Sequence, residues 1–93
     1  MMIGLLEIDL FAEGFHSLKE KRRLLSSLKE RLKKKFNIAV VESDHQDLWQ
    51  KAQLTVVTIG PGRAALECVF QGVEEFIDLN YAVEISRLKV QFY

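Results

Sequence analysis

The strongest constraint on the fold lies between Ser17 and Phe36, where local chemistry all but forces a helix. Ser17 and Glu20 form an S-x-x-E capping box, in which each side chain can satisfy a backbone N–H left open at the helix start. No glycine or proline follows until Gly60, and residues 18–35 are mostly strong helix formers. At 100° per residue, Leu18, Leu24, Leu25, Leu28, Leu32 and Phe36 share one face. Lys19, Arg22, Arg23, Lys29, Lys33 and Lys34 occupy much of the other. Lys21 falls beside the apolar stripe, and its ammonium is expected to snorkel outward.

Charge is concentrated in the same segment. Residues 17–36 hold nine of the thirteen Lys and Arg against two acids, Glu20 and Glu30, a local +7 that the rest of the chain cancels to zero. Lys33, Lys34 and Lys35 in the last turn suit the helix dipole. The remaining cations suit an anion such as RNA or an acidic protein.

At 93 residues the chain is long enough for one domain, residues 1–93, with a small core. Its 48% hydrophobic content excludes a disordered chain. One cysteine, Cys68, cannot form an internal disulfide, and no Cys/His zinc pattern is present. No run approaches the ~20 apolar residues of a membrane span. The opening Met1–Leu6 lacks a basic leader and cleavage site and reads as a strand. A cytoplasmic location and no cofactor are the expectation.

Met2–Phe11 is predicted as a first strand, with Leu6, Ile8 and Leu10 on one face and Leu5, Glu7, Asp9 and Phe11 on the other. Gly14 is expected to ease the turn that follows. After the basic helix, residues 38–43 read as a second strand and residues 54–59 as a third. Residues 44–52 between them suit a short helical excursion or a wide bend. Gly60-Pro61-Gly62 closes the third strand. A second helix over 63–80 has an apolar stripe of Leu66, Val69, Phe70, Val73, Phe76 and Ile77, with acids Glu67, Glu74, Glu75 and Asp78 outside. Gly72 within it is expected to admit a close neighbour. Residues 83–93 form the last strand.

The order β-α-β-β-α-β is the split βαβ of the ferredoxin-like fold. It predicts an α+β two-layer sandwich, with both helices on one face of a four-stranded antiparallel sheet. Strands one and four become neighbours, placing Glu7 and Asp9 opposite Arg87 and Lys89. Val41, Thr55, Val57 and Ile59 add to the uncovered side, which is too apolar to face water, so a homo-oligomer (dimer) through this face is expected.

Chemistry-bearing residues cluster in Asp44-His45-Gln46-Asp47, followed by Trp49. A metal site needs three or four converging ligands, and the other histidine, His16, lies in a distant connection. Asp44, His45, Asp47 and Trp49 therefore read as a structural or partner-contact loop, with a metal-dependent small enzyme at Asp44, His45 and Asp47 as an alternative. Gly60–Arg63 before a helix resembles a phosphate cradle but lacks the Walker spacing and its Lys-Ser/Thr ending. Cys68 among glutamates is disfavoured as a thiolate.

His16-Ser17-Leu18-Lys19-Glu20-Lys21-Arg22-Arg23 and Asp44-His45-Gln46-Asp47-Leu48-Trp49-Gln50-Lys51-Ala52 together resemble the YlxP-like family of small bacterial proteins, a domain of unknown function (DUF503). Phe36-Asn37 and Ile3-Gly4-Leu5-Leu6 match the same pattern, so the resemblance covers almost the whole chain. Ser43 and the Gly60-Pro61-Gly62 turn depart from it. The resemblance implies a ferredoxin-like domain. It also implies a gene often placed beside genes for translation initiation and ribosome maturation. The resulting expectation is a non-enzymatic RNA- or ribosome-associated binding domain, in which Lys19, Arg22, Arg23, Lys29, Lys33 and Lys34 meet phosphates. Without a pair of exposed strand aromatics, such binding would rest on backbone charge.

Overall fold

Alternation in the first strand, β1 (Met2–Phe11), sets the two sides of the molecule. In a computed structural model describing residues 1–93, Leu6, Ile8 and Leu10 are buried and Leu5, Glu7, Asp9 and Phe11 are only partly so. Helix α1 (Leu18–Lys35) follows, then β2 (Ala39–Asp44), β3 (Lys51–Gly60), α2 (Arg63–Asn80) and β4 (Glu84–Phe92). The strands form one antiparallel sheet ordered β2-β3-β1-β4, as the split βαβ pattern predicts.

Both helices lie on the side of Leu6, Ile8 and Leu10. Leu25, Leu28 and Leu32 of α1 and Phe70, Val73, Phe76 and Ile77 of α2 close the core over Leu54 and Val56 of β3. Two glycines make the helix packing possible. A Cβ on Gly72 would stand 2.8 Å from Phe36 Cε1, and one on Gly4 would stand 2.9 Å from Phe70 Cε2. Gly72 thus admits a neighbour as expected, and that neighbour is the aromatic ring that ends α1.

On the other side no element covers the sheet, and cross-strand register sorts its residues into rows. Tyr93, Ile3 and Ile59 form one row, with a backbone hydrogen-bonded pair between Ile3 and Tyr93. Gln91, Leu5, Val57 and Ala39 form the next. Beyond them Lys89 stands opposite Glu7 and Arg87 opposite Asp9, the pairing expected from topology. One end of the open face is therefore apolar and the other charged. Leu88 and Val90 lie on the helix side of edge strand β4, but α2 does not reach over them, leaving them 38% and 44% exposed.

Two local expectations need correction, and a third resolves to one of its alternatives. β3 begins at Lys51, three residues before the expected start at Leu54, because β1 offers partners as far as Phe11. Residues 45–50 form turns and a bend, the wide bend of the two expected alternatives. Gly14 has no positive φ and no atom within 4 Å of a built Cβ, so its freedom goes unused. The one residue with positive φ is His45, at 63°.

Candidate nucleic-acid interface

Helix α1 is built as its sequence requires. Ser17 Oγ accepts from the N–H of Glu20 at 3.2 Å, and Glu20 Oε2 accepts from the N–H of His16 at 3.0 Å. The buried residues of the helix are Lys21, Leu25, Leu28 and Leu32, spaced i, i+4, i+7 and i+11. A lysine thus takes the first position of the core stripe.

Lys21 overturns the expectation that its ammonium reaches solvent: it is 0% exposed. Its Nζ donates to the carbonyl oxygens of His45 at 2.7 Å and Lys51 at 2.9 Å, and also to that of Leu48. Glu42 Oε2 lies 3.0 Å away. Snorkelling fails because the 44–50 loop closes over the end of the stripe. A buried ammonium must then be neutralised and hydrogen-bonded where it stands. An ammonium has three hydrogens, and three carbonyls take them. Glu42 therefore contributes its charge, and its buried Oε2 has no hydrogen-bond partner.

The loop is shaped around that ammonium. A register shift between Glu42 and Asp44 ends regular pairing of β2. Asp44 Oδ1 accepts from the N–H of His45 at 2.7 Å, as expected of a turn aspartate. His45 then adopts φ 63°, the left-handed region, uncommon outside glycine and enriched for His, Asn and Asp. Its carbonyl receives the Lys21 ammonium and the N–H of Leu48 at 3.0 Å. With these carbonyls turned inward, Leu48 and Trp49 are left 46% and 44% exposed. The His16–Arg23 and Asp44–Ala52 motifs, far apart in sequence, are thus joined by one side chain.

The cations of α1 divide into two groups. Arg31 donates to Tyr81 Oη at 3.0 Å and Asn80 Oδ1 at 3.4 Å, and lies 4.8 Å from the Phe76 ring centroid. Lys35 Nζ lies 5.1 Å from the same ring. Together with Lys21 they hold the fold. The other six are Lys19, Arg22, Arg23, Lys29, Lys33 and Lys34, the expected phosphate contacts. All are exposed except half-buried Lys29, and Lys33 alone has a carboxylate partner, Glu30 at 3.2 Å. They span roughly 140° of the outer helix surface at 100° per residue.

Asp44, His45, Asp47 and Trp49 share the tethered loop, but no three His, Cys, Asp or Glu side chains converge enough to hold a metal ion. His45 is half-buried beside a cleft of about 270 Å³ lined also by Asp9, Phe11, Lys51 and Glu84, whose charges are mixed. Arg63 pairs with Glu67 at 2.6 Å and lies over the Phe92 ring at 4.8 Å, so its cation is engaged within the chain. Cys68 is an exposed free thiol. No helix is long and apolar enough to cross a membrane. Sequence reasoning missed the Lys21–Glu42 tether; the available signal was a lysine four residues before Leu25 on an otherwise leucine stripe.

Comparison with known proteins places this arrangement in a family. The chain is 30% identical over 92 residues to "Uncharacterized protein YlxP" of Bacillus subtilis (strain 168), covering 99% of this chain and all of that protein. Among solved structures it is similar to the de novo designed protein Ferredog-Diesel, with a TM-score of 0.51 and 16% identity over 96% of this chain and 83% of the other, a likeness of fold alone. The family model described as "Protein of unknown function (DUF503)" matches residues 3–90, and the chain belongs to that family.

Proposed function

We propose that this protein is a non-enzymatic RNA- or ribosome-associated binding domain, with the outer face of α1 as its contact surface. The observation carrying this reading is the division of the helix cations. Lys21, Arg31 and Lys35 serve the fold, whereas Lys19, Arg22, Arg23, Lys29, Lys33 and Lys34 form a contiguous outward surface with a single intramolecular carboxylate partner. Such a surface suits a polyanion recognised through its phosphates. The Lys21 tether sets exposed Leu48 and Trp49 beside the first turn of the helix. The exposed Trp49 ring is an aromatic that the helix itself lacks, and an unpaired base of the same RNA would stack on it.

The test is binding of a fluorescent single-stranded RNA oligomer across a salt series. Six phosphate contacts predict a slope of log K against log salt of about −4, at ~0.7 per contact. Reversing Arg22, Arg23 and Lys33 to glutamate should abolish binding below micromolar RNA. Trp49→Ala should weaken it by about 1–3 kcal/mol per stacked base and leave the slope unchanged. Binding that is absent in the parent protein, or indifferent to salt, would end this reading.

A further inference from the structure

The uncovered sheet face poses a problem separate from the helix surface. Its apolar end exposes Ile3, Val57, Ile59 and Tyr93 at 36% or more, a contiguous group once register is applied, while exposed Val41 lies in the row of Thr55, Glu7 and Lys89. Its charged end carries two acids on β1 and two bases on β4. Although Glu7 stands opposite Lys89 and Asp9 opposite Arg87, none of the four joins the chain's ion pairs, which are Lys21–Glu42, Lys33–Glu30, Arg63–Glu67 and the His45–Asp44 contact. Asp9 instead accepts from Gln53 Nε2 at 2.9 Å.

We infer that this face is the interface of a two-fold homodimer, with the symmetry axis running along the strands between β1 and β4. A two-fold axis in that direction carries each row onto itself. The Ile3–Tyr93 row meets the same row of the second copy, and the Leu5–Gln91 row likewise. It also exchanges β1 with β4, so Glu7 and Asp9 of one copy lie over Lys89 and Arg87 of the other. An axis across the strands would set the apolar end on the charged end or leave the charges uncovered. Of the two in-plane directions, only the lengthwise one sets apolar row on apolar row and acid over base. The overlap is the β1–β4 half of the sheet, with Val57 and Ile59 of β3 flanking the partner's β4 edge. A second copy is therefore the occupant whose chemistry the β1–β4 half of the face already specifies. The outer surface of α1 lies on the far side of the sheet and is not consumed.

The geometry makes a complementation test decisive. Among the four charged positions, Glu7→Lys leaves three bases and one acid, and Lys89→Glu leaves three acids and one base. Each variant alone would juxtapose like charges twice across the axis, raising the dissociation constant by about 100-fold. In the mixture, the lysine introduced at position 7 of one chain meets the glutamate introduced at position 89 of the other. The unchanged Lys89 of the first chain then meets the unchanged Glu7 of the second. The mixture should therefore form a heterodimer within about tenfold of the parent affinity.

Sedimentation equilibrium of the parent, each variant and the mixture reads this directly, with far-UV circular dichroism to confirm folding. Ile3→Asp, which places a charge in the central apolar row, should give a monomer. A parent protein that sediments as a monomer at about 50 µM, as a weak encounter below ~1,200 Å² of buried surface would, overturns the dimer and leaves the face to another partner. Failure of folded variants to complement overturns the axis.

Discussion

Replacing Lys21 by Met tests whether one ammonium holds the two family motifs together. The substitution keeps most of the apolar stem and removes the charge. It strands the carbonyls of His45, Leu48 and Lys51 and the carboxylate of Glu42. Breaking a buried pair from one side costs about 3–5 kcal/mol. A loss of that size consumes much of the roughly 5–15 kcal/mol stability of a small domain. At about 4–8 °C per kcal/mol for a chain of this length, Tm should drop by roughly 12–40 °C.

The assay is built into the protein, because Trp49 is its only tryptophan and sits on the tethered loop. Urea unfolding followed by Trp49 fluorescence and by far-UV circular dichroism should give coincident transitions in the parent. In Lys21→Met, the fluorescence transition should precede the helical one, since the loop loses its anchor first. Glu42→Gln should cost less, about 1–3 kcal/mol, because the carbonyls keep their donor. Lys21→Arg should behave more like Met than like Lys, because a planar guanidinium cannot present three hydrogens to three carbonyls around one nitrogen. A Lys21→Met protein within about 1 kcal/mol of the parent, with coincident transitions, would refute the tether.

Other substitutions separate fold from surface. Gly4→Ala drives a Cβ against buried Phe70 and should destabilise by about 1–3 kcal/mol in denaturant titration. Ser17→Ala removes the cap on Glu20 N and should cost about 0.5–2 kcal/mol by the same measurement. Arg31→Ala should lower stability by about 1 kcal/mol, through lost contacts to Tyr81, Asn80 and Phe76, and leave the RNA salt slope unchanged. Lys34→Ala should do the reverse, leaving Tm unchanged and making the slope shallower by about 0.7.

The legible parts of this fold are those that local periodicity writes. β1 and α2 run as read, Met2–Phe11 and Arg63–Asn80, because alternation and the 3.6-residue stripe each decide a buried face without reference to the rest. That Glu7 and Asp9 face Arg87 and Lys89 follows from topology, whereas the exact register, Glu7 on Lys89 and Asp9 on Arg87, is not readable from the sequence. The burial of Lys21 is not legible, because its partners are backbone carbonyls, which any residue supplies, brought from 24 to 30 positions away. His45 draws notice for its side chain, whereas its carbonyl makes the contact that shapes the loop, through a φ that no spacing rule marks. Leu88 and Val90 point to the helix layer as alternation says. Whether a helix reaches that far over an edge strand is a property of the whole sandwich.

The separation of cations on α1 from the acids Glu67, Glu74, Glu75 and Asp78 on α2 also governs how the protein behaves in bulk. With zero formal charge and a sequence pI of about 6.7, it has almost no electrophoretic mobility at neutral pH. Yet its helix face should hold it on a cation-exchange resin that sees only that side. In dilute buffer, where charges act over ~30 Å, neighbouring molecules attract pole to pole near neutrality. Adding salt to about 0.15 M shortens that reach to ~8 Å and dissolves them. Low-salt turbidity that clears on adding sodium chloride is the bulk signature of a charge polarity hidden by the net value.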